Sequence, residues 1–165
     1  MDLELQGKTA LVTGGSRGIG KAIARELALC GCTVVITAGG SEALKVASEE
    51  ITAETGQLVA GIVCDLTSTS GVNQMVESAA QEMAGRIDIL VNNAAAPGGL
   101  ARGPLSSIKD EDVINDLDTK VMGYLRCARA VAPYMIAQNW GRIINIGGTS
   151  ARRANGNLSA GVHNA

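Results

Sequence analysis

Short apolar runs alternate along the chain with longer segments of helical periodicity. Four runs rich in β-branched residues come first, KTALVTGG, CTVVITAGG, QLVAGIVCDLT and RIDILVNNAAA, and GRIINIGG follows as a fifth. Strands that are separated by helices form βαβ crossovers, which place the strands in parallel and the helices on both faces. The pattern therefore predicts a doubly wound α/β fold in three layers.

The helical segments differ in length and in how clearly they end. A helix after the second strand is predicted to begin at a Ser41 cap and to close at Gly56. The longest predicted helix runs roughly from Lys109 to Asn139. The helix after the third strand has one apolar face, which consists of Val72, Met75, Val76, Ala79, Ala80 and Met83.

Composition narrows the class of protein. With 165 residues, 46% of them hydrophobic and 18% charged, the chain is predicted to form a single packed domain, residues 1–165, rather than a disordered one. A net charge of −2 without long blocks of one sign offers no basic face for nucleic acid or an anionic membrane. No apolar run is long enough to span a bilayer and no signal peptide is recognisable, so a soluble cytoplasmic protein is expected.

The four cysteines do not follow a metal-binding or redox pattern. Cys30 and Cys32 flank a predicted turn, whereas Cys64 and Cys127 lie in apolar segments. This spacing matches neither a C-x-x-C motif nor paired zinc knuckles. We expect free, mostly buried thiols in a reducing compartment, and no metal site.

Unusual composition is concentrated at the ends of the predicted strands. In a parallel sheet, ligands bind beyond the carboxyl ends of the strands. The segments that reach this rim are Thr13–Gly20, Gly39, Asp65, Asn92–Ala95 and Gly147–Ser150.

The segment TGGSRGIG follows a strand and opens a helix. Gly14 permits a tight turn, Gly18 leaves room for a pyrophosphate near the backbone, and Gly20 lets the helix pack closely on the sheet. The helix amino terminus then offers free N–H groups and a partial positive charge to phosphate. The alternative is a glycine-rich turn that binds no ligand.

TGGSRGIG, CDLT, LVNNAA and GRIINIGG together occur in the order and spacing of the short-chain dehydrogenase/reductases, which include 3-oxoacyl-carrier-protein reductases. The chain resembles this family over nearly its whole length. The resemblance implies a Rossmann-type sheet and a nicotinamide dinucleotide. It also implies that the family's last strands and helices are missing here, so that the sheet is incomplete at its C-terminal edge and the chain is truncated.

The resemblance also assigns residues to the dinucleotide. Asp65 is implied to accept a hydrogen bond from the adenine amino group beside the Leu66 backbone. Asn92 and Asn93 are implied to fix the end of the fourth strand and to line the adenosine side. A purely structural Asx turn is the alternative for Asp65. The cofactor-binding set is Gly14, Gly15, Ser16, Arg17, Gly18, Ile19, Gly20, Gly39, Asp65, Leu66, Asn93 and Ala94.

Charge favours one dinucleotide over the other. An NAD enzyme usually has an acid at the end of the second strand, where it binds the ribose hydroxyls and repels a 2′-phosphate. No acid lies in Ala38–Gly40, and Arg17 can donate to a 2′-phosphate. NADP(H) is therefore favoured over NAD(H), with a solvated loop charge as the alternative for Arg17.

The catalytic pattern of the family is broken. Family members use an Asn from the long helix, a Ser after the fifth strand and a Tyr-x-x-x-Lys on the following helix. Aligned on GRIINIGG, these positions hold Lys120, Gly148, Gly161 and Ala165, and neither Tyr124 nor Tyr134 begins such a motif. Either other residues substitute, or the fold persists without the usual chemistry, or the register is wrong.

Three residues are candidate catalytic substitutes. Lys120 could donate to a substrate oxygen, although a surface lysine is the alternative. Ser150 has the strand parity of Gly148, whereas Thr149 faces the other side unless the chain bends. Asn164 shares a helical face with Gly161.

The remaining polar residues near the end are weaker candidates. His163 is the one histidine, and we expect a surface or interface residue rather than a catalytic one. Arg152 and Arg153 form either a solvated pair or a site for a carboxylate, a phosphate or an acyl-carrier thioester.

These observations predict an oxidoreductase that transfers a hydride between NADP(H) and a small carbonyl or alcohol substrate. The alternatives are a dinucleotide-binding or scaffolding protein without turnover, and an inactive fragment. Val121, Met122, Leu125 and Ala128 give the long helix more apolar surface than one sheet face needs, and such helices pair between subunits in the family. A homo-oligomer is expected.

Overall fold

Five parallel strands form the centre of the molecule in the computed structural model, which describes residues 3–95 and 108–148. Their spatial order is β3-β2-β1-β4-β5, so the chain builds outward from β1 to β3 and then crosses to the other side of β1. The strands are β1 (Thr9–Thr13), β2 (Thr33–Ala38), β3 (Val59–Val63), β4 (Ile89–Asn92) and β5 (Arg142–Asn145).

Helices cover both faces of this sheet. The helices are α1 (Gly18–Leu29), α2 (Ser41–Thr55), α3 (Thr69–Glu82), α4 (Asp110–Leu117) and α5 (Gly123–Ala137). One buried cluster joins the sheet to α1 and α2, and a second joins it to α3 and α5. The prediction of a three-layer, doubly wound Rossmann-type fold is confirmed.

Strand burial explains why the sheet forms where it does. All five residues of β1 are buried, and Val34 and Ile36 of β2 point to one layer of helices while Val35 points to the other. Runs of apolar residues that are buried on both faces are typical of central strands in a parallel sheet. The predicted apolar face of α3 is confirmed, since each of its six residues is buried.

Two helix predictions needed correction. The α2 helix starts one residue earlier than predicted, because Gly40 rather than Ser41 occupies the N-cap position, while Gly56 closes the helix in the left-handed conformation as expected. The long helix is not continuous, since a π-helical segment, Asp118–Met122, separates α4 from α5. A π-helical turn has one more residue than an α-helical turn, which periodicity in the sequence does not reveal.

The order of the strands defines where a ligand would bind. The crossovers leave β1 in opposite directions, so the sheet has a switch point between β1 and β4. In open α/β sheets, the crevice at the carboxyl ends of the strands beside such a point is the usual ligand site. The glycine loop after β1 and the turn after β4 meet at this crevice.

Candidate functional site

The glycine loop packs directly on the end of β4. Gly14 has a φ of +67°, and a Cβ there would lie 2.8 Å from Cα of Ala94. A Cβ on Gly20 would overlap the carbonyl oxygen of Gly14 and Nδ2 of Asn93. The role predicted for Gly14 and Gly20, a tight turn and close packing, is therefore what the backbone requires.

The opposite side of the same loop is open. Gly18 has a φ of +56°, and no atom lies within 4 Å of the position that its Cβ would occupy. Arg17 is the N-cap residue of α1, and it makes no side-chain hydrogen bond to the first amides of the helix. Uncapped amides at a helix start, next to an open glycine, suit the binding of an anion such as a pyrophosphate.

A hydrogen-bond network fixes the glycine loop to β4. The Thr13 hydroxyl accepts from the backbone amides of Asn93 (3.0 Å) and Ala94 (3.1 Å) and donates to the Val91 carbonyl. Nδ2 of Asn93 donates to the carbonyls of Thr13 (3.1 Å) and Gly14 (3.2 Å). Asn93 thus joins the ends of β1 and β4, and its role beside the adenosine stays a prediction.

Asn92, the first of the two asparagines at the end of β4, stabilises the sheet rather than lining the proposed binding crevice. Nδ2 of Asn92, which is fully buried, donates to Oδ1 of Asn145 in β5 at 2.9 Å and to the carbonyl of Tyr124 in α5 at 3.4 Å. Asn92 therefore connects β4, β5 and α5.

Asp65 and Leu66 form the turn between β3 and α3. Oδ1 of Asp65 accepts from the backbone amide of Thr67 (2.9 Å) and from its hydroxyl (2.8 Å). These hydrogen bonds lower the pKa of Asp65 below its usual value, and its side chain remains exposed. The Asx turn that was one alternative for Asp65 is thus present, and the exposed carboxylate can still accept from a ligand through Oδ2.

The end of β2 is open and carries no acid. No atom lies within 4 Å of a Cβ placed on Gly39 or Gly40, and α2 begins there without a side-chain cap. The glycine loop is tied to β2 by a hydrogen bond from the Gly15 amide to the Thr37 carbonyl, and within the loop Arg17 and Ile19 are exposed while Ser16 is partly buried. Glu42, an acid in the first turn of α2, lies beyond the glycines.

Lys120 lies in the middle of the π-helical segment and is partly buried. Tyr124 lies one turn later, where its hydroxyl donates to the Ala94 carbonyl at 3.0 Å. Burial raises the pKa of Tyr124 to about 12, so this phenol is not poised to exchange a proton near neutrality. Of the three candidate catalytic residues, Lys120 is the one that lies within the described residues, in the segment that leads into α5.

Several sequence candidates lie outside the described residues. Gly148, which the alignment on GRIINIGG places in the position of the family's serine, is exposed and is the last described residue. The candidates outside the described residues are Thr149, Ser150, Arg152, Arg153, Gly161, His163, Asn164 and Ala165.

Sequence reasoning missed Arg126. Its guanidinium donates to Leu66, Thr69 and Asp118. Leu66 and Thr69 lie 60 and 57 residues before Arg126 in the chain, and Asp118 lies 8 residues before it. No local motif signals such a residue, because its partners meet it only after the helices have packed. Tyr124 was noted only for lacking a following lysine.

The described residues offer neither a metal site nor a membrane span. Within 3–95 and 108–148, no group of three or more His, Cys, Asp or Glu residues could hold a metal ion. No helix in that part of the chain combines the length and apolar character needed to cross a bilayer. The four cysteines are free, with Cys30 exposed and the other three buried, as predicted.

A protein-family model and several known proteins match most of this chain in sequence. The family model described as short chain dehydrogenase matches residues 8–160. The 3-oxoacyl-(acyl-carrier-protein) reductase FabG of Aquifex aeolicus (strain VF5) is 40% identical over 149 residues, which cover 88% of this chain and 57% of that protein. The FabG of Escherichia coli (strain K12) is 35% identical, over 93% of this chain and 60% of that protein. The chain thus spans little more than half of the length of these relatives.

Solved structures share the fold closely. A metagenomic short-chain oxidoreductase in complex with NADP is 36% identical with a TM-score of 0.82, over 92% of this chain and 66% of that one. An NAD+-bound xylitol dehydrogenase is 32% identical with a TM-score of 0.88, over 98% of this chain and 60% of that one. The sheet order, the glycine loop locked onto β4 and these matches lead to one conclusion: the chain belongs to the short-chain dehydrogenase family.

Proposed function

We propose that this protein binds NADP(H) at the glycine loop and that it is an oxidoreductase which moves a hydride between this cofactor and a carbonyl or alcohol substrate. The observation that carries the proposal is the start of α1 at Gly18, where the space is open and no side chain caps the helix. Anions bind such helix termini through free amides and the helix dipole. The family relationship supports the reaction class.

The residues at the rim fit a dinucleotide. The loop from Gly14 to Gly20 would hold the pyrophosphate, and Asp65 and Leu66 would hold the adenine. Ala94 and Asn93 would line the adenosine side, and the open end of β2 at Gly39 lies on the other side of β1. The bound cofactor would supply the hydride, and the protein would supply binding and orientation.

NADP(H) is proposed over NAD(H) because of the charges around the end of β2. Arg17 is exposed and lacks a carboxylate partner among the described residues, and Ala38–Gly40 contains no acid that would repel a 2′-phosphate. The NADP complex of one structural relative supports this choice. The NAD+-bound relative makes a direct comparison of the two cofactors necessary.

The proton-transfer groups are proposed to differ from those of the family. Lys120, in the partly buried π-helical segment, is the proposed donor to the substrate oxygen, with Ser150 and Asn164 as further candidates from the sequence. Tyr124 is not proposed for this role because its hydroxyl is already engaged and its pKa is raised to about 12.

A fluorescence titration tests the cofactor proposal. NADPH is expected to bind more tightly than NADH, and Arg17→Ala is expected to weaken NADPH binding about tenfold, the cost of one charge-assisted contact, without changing NADH binding. Lys45→Ala removes a cation from an exposed site on α2 and serves as the matched control. An equal loss for both cofactors in Arg17→Ala would contradict the 2′-phosphate role.

A substrate panel separates the enzyme from the second candidate, a dinucleotide-binding protein without turnover. That candidate is favoured by the replacement of the usual catalytic residues, including Gly148 in place of serine. NADPH oxidation with a carbonyl substrate, lost in Lys120→Ala while NADPH affinity is kept, would support catalysis. Saturable NADPH binding without oxidation of any substrate would favour the binding protein.

The organisation of the whole protein is also proposed. Residues 1–165 are proposed to belong to one dinucleotide-binding domain, and the exposed apolar surface around α5 is proposed to pair with a second copy. The four free cysteines favour a reducing compartment such as the cytoplasm.

A further inference from the structure

Arg126 lies near the start of α5 and connects three segments through its guanidinium. Nη1 donates to the carbonyls of Leu66 and Asp118, both at 3.1 Å, and Nη2 donates to the Asp118 carboxylate at 2.7 Å. Nε donates to the Thr69 hydroxyl at 3.2 Å. The side chain is only 12% exposed, so these hydrogen bonds are largely shielded from water.

One of the groups that Arg126 holds belongs to the proposed adenine site. Leu66 follows Asp65 in the turn after β3, and its side chain is buried against α5. A Cβ placed on Gly123 would lie 3.0 Å from Cβ of Leu66, so helix and turn pack without a gap. The first turns of α5 therefore contact the turn at Asp65 and Leu66, here called the adenine turn, both by packing and by hydrogen bonding.

The other group belongs to the segment that carries Lys120. Asp118 is the first residue of the π-helical segment, and Arg126 binds both its carbonyl and its carboxylate across eight residues. The planar guanidinium holds its donors in a fixed geometry. Because the same rigid group bonds both carbonyls, a shift of the Leu66 carbonyl that moves the guanidinium also alters its hydrogen bonds to Asp118.

A second contact runs in parallel from the same helix turn. Tyr124 donates to the Ala94 carbonyl at 3.0 Å, and Nδ2 of Asn92 donates to the Tyr124 carbonyl at 3.4 Å. Ala94 belongs to the other turn that would line the adenosine. The turn at Asp65 and Leu66 and the turn at Ala94 together form the proposed adenosine seat. Both are thus joined to the start of α5, a few residues after Lys120.

We propose that Arg126 is a positioning residue that couples occupation of the adenosine seat to the order of the π-helical segment, and so to the placement of Lys120. This inference rests on the proposed binding of a dinucleotide. A ligand at Asp65 and Leu66 restricts that turn, and Arg126 passes the restriction to Asp118. Binding at one end of the cofactor thereby reduces local opening of the segment at the other.

Hydrogen exchange measured by mass spectrometry tests the coupling. The probe is adenosine 2′,5′-bisphosphate, which contains the adenosine and both phosphates but has no nicotinamide half that could reach Lys120. At saturation, the amides of residues 118–124 are expected to exchange about fivefold more slowly, within the usual range of coupling between sites. In Arg126→Met this slowing is expected to disappear, while the probe still binds.

The controls distinguish coupling from a general loss of structure. Arg129→Met removes an exposed arginine from the same helix and is expected to keep the slowing. Arg126→Lys retains the charge but not the fork, so it is expected to restore only part of the effect. If Arg126→Met does not fold, Asp118→Asn takes its place, because it weakens the same contact and leaves Arg126 present.

Two results would overturn the coupling alone. One is unchanged exchange at residues 118–124 in the unaltered protein at full saturation. The other is undiminished slowing in Arg126→Met, or in Asp118→Asn where that variant is used. A lack of any saturable binding of the probe, of NADPH and of NADH overturns the proposed function itself, and the coupling with it.

Discussion

Single residues set the geometry of the glycine loop. Gly20 leaves room for the Gly14 carbonyl and for Nδ2 of Asn93, which donates to that carbonyl. The contact joins the start of α1 to the end of β4, so a side chain at this position would separate them. Gly39 is different, because the space around it is open.

Gly20→Ala is therefore expected to destabilise the protein by about 1–3 kcal/mol, the usual cost of overpacking a tight contact. NADPH affinity is expected to fall as well, since the loop is displaced. Urea unfolding and fluorescence titration measure the two effects. Gly39→Ala is the matched control and is expected to change the unfolding free energy by less than about 0.5 kcal/mol. Equal stability of the two variants would contradict the packing argument.

Asp88 is a buried carboxylate at the amino-terminal side of the sheet. Its Oδ2 accepts from the amide and hydroxyl of Thr9 in β1, at 2.9 and 3.1 Å, and its Oδ1 accepts from Arg86 at 2.9 Å. Burial acts to raise the pKa of Asp88, but the hydrogen bonds from Arg86 and Thr9 outweigh it, and the pKa lies below its usual value. Asp88 thus connects β1 and β4 as a charged group.

A lowered pKa in the folded state predicts a loss of stability in acid. The contribution of Asp88 is fully present above the unfolded pKa of about 3.9 and is lost as the pH falls through the folded pKa. At neutral pH, Asp88→Asn is expected to cost about 1–3 kcal/mol, because one donor is left unpaired.

Urea unfolding between pH 7 and pH 3 measures this effect. The difference between the unaltered protein and Asp88→Asn is expected to shrink below about pH 4. Glu77→Gln, which changes an exposed carboxylate on α3, is the control and is expected to show no such trend. A difference that stays constant over the whole range would show that the charge of Asp88 does not stabilise the fold.

At the scale of the helices, the main feature is the π-helical turn that interrupts the long helix. The segment Lys109–Asn139 has continuous helical periodicity, yet the helix contains a π-helical turn at Asp118–Met122. Arg126 holds the carbonyl and carboxylate of Asp118 across this turn, while its other bonds fix it to Leu66 and Thr69. Arg126 therefore joins this turn to α3 and to the β3–α3 turn, contacts that helical periodicity cannot predict.

The α4–α5 region also exposes apolar side chains. Part of the predicted apolar surface is explained by the core, since Ala128 packs against the buried cluster beneath α5. Val121 is 58% exposed and Leu125 is 51% exposed, and Ile114, Leu117 and Met122 extend this surface. Apolar side chains grouped in this way are typical of a surface that contacts another protein.

The double variant Val121→Asp, Leu125→Asp is expected to convert an oligomer to monomers, because each charge would have to be buried at the interface. Sedimentation velocity over a concentration series measures the change. Leu58→Asp alters an even more exposed apolar residue just before β3, at the other edge of the sheet, and is expected to leave the oligomer intact. Sedimentation of the unaltered protein as a monomer at every concentration would refute the proposal.

The molecule as a whole protects three of its four thiols. Cys32 packs between the sheet and α1, whereas Cys64 and Cys127 lie in the cluster between the sheet, α3 and α5. Burial raises the pKa to about 11 for Cys32 and Cys64 and to about 12 for Cys127. Because only the thiolate reacts readily, these groups are protected by both access and charge.

Native labelling with iodoacetamide is therefore expected to modify Cys30 rapidly. The three buried thiols are expected to react only as fast as the protein unfolds, and together, since both faces of one sheet must open to expose them. Intact-mass spectrometry over time measures the number of labels. A population with two labels that accumulates in native Cys30→Ser would contradict cooperative protection.

The sequence by itself determined the strands, the helices on both faces and the glycine loop. These depend on periodicity, on β-branched runs and on backbone freedom at Gly14 and Gly18, which are local properties. Only the tertiary structure decided how Asn93 locks this loop to β4, how Arg126 joins the adenine turn to the π-helical segment, and which apolar residues of the long helix stay exposed. Those features need partners that are distant in the chain, and the packed sheet and helices bring them within hydrogen-bonding distance.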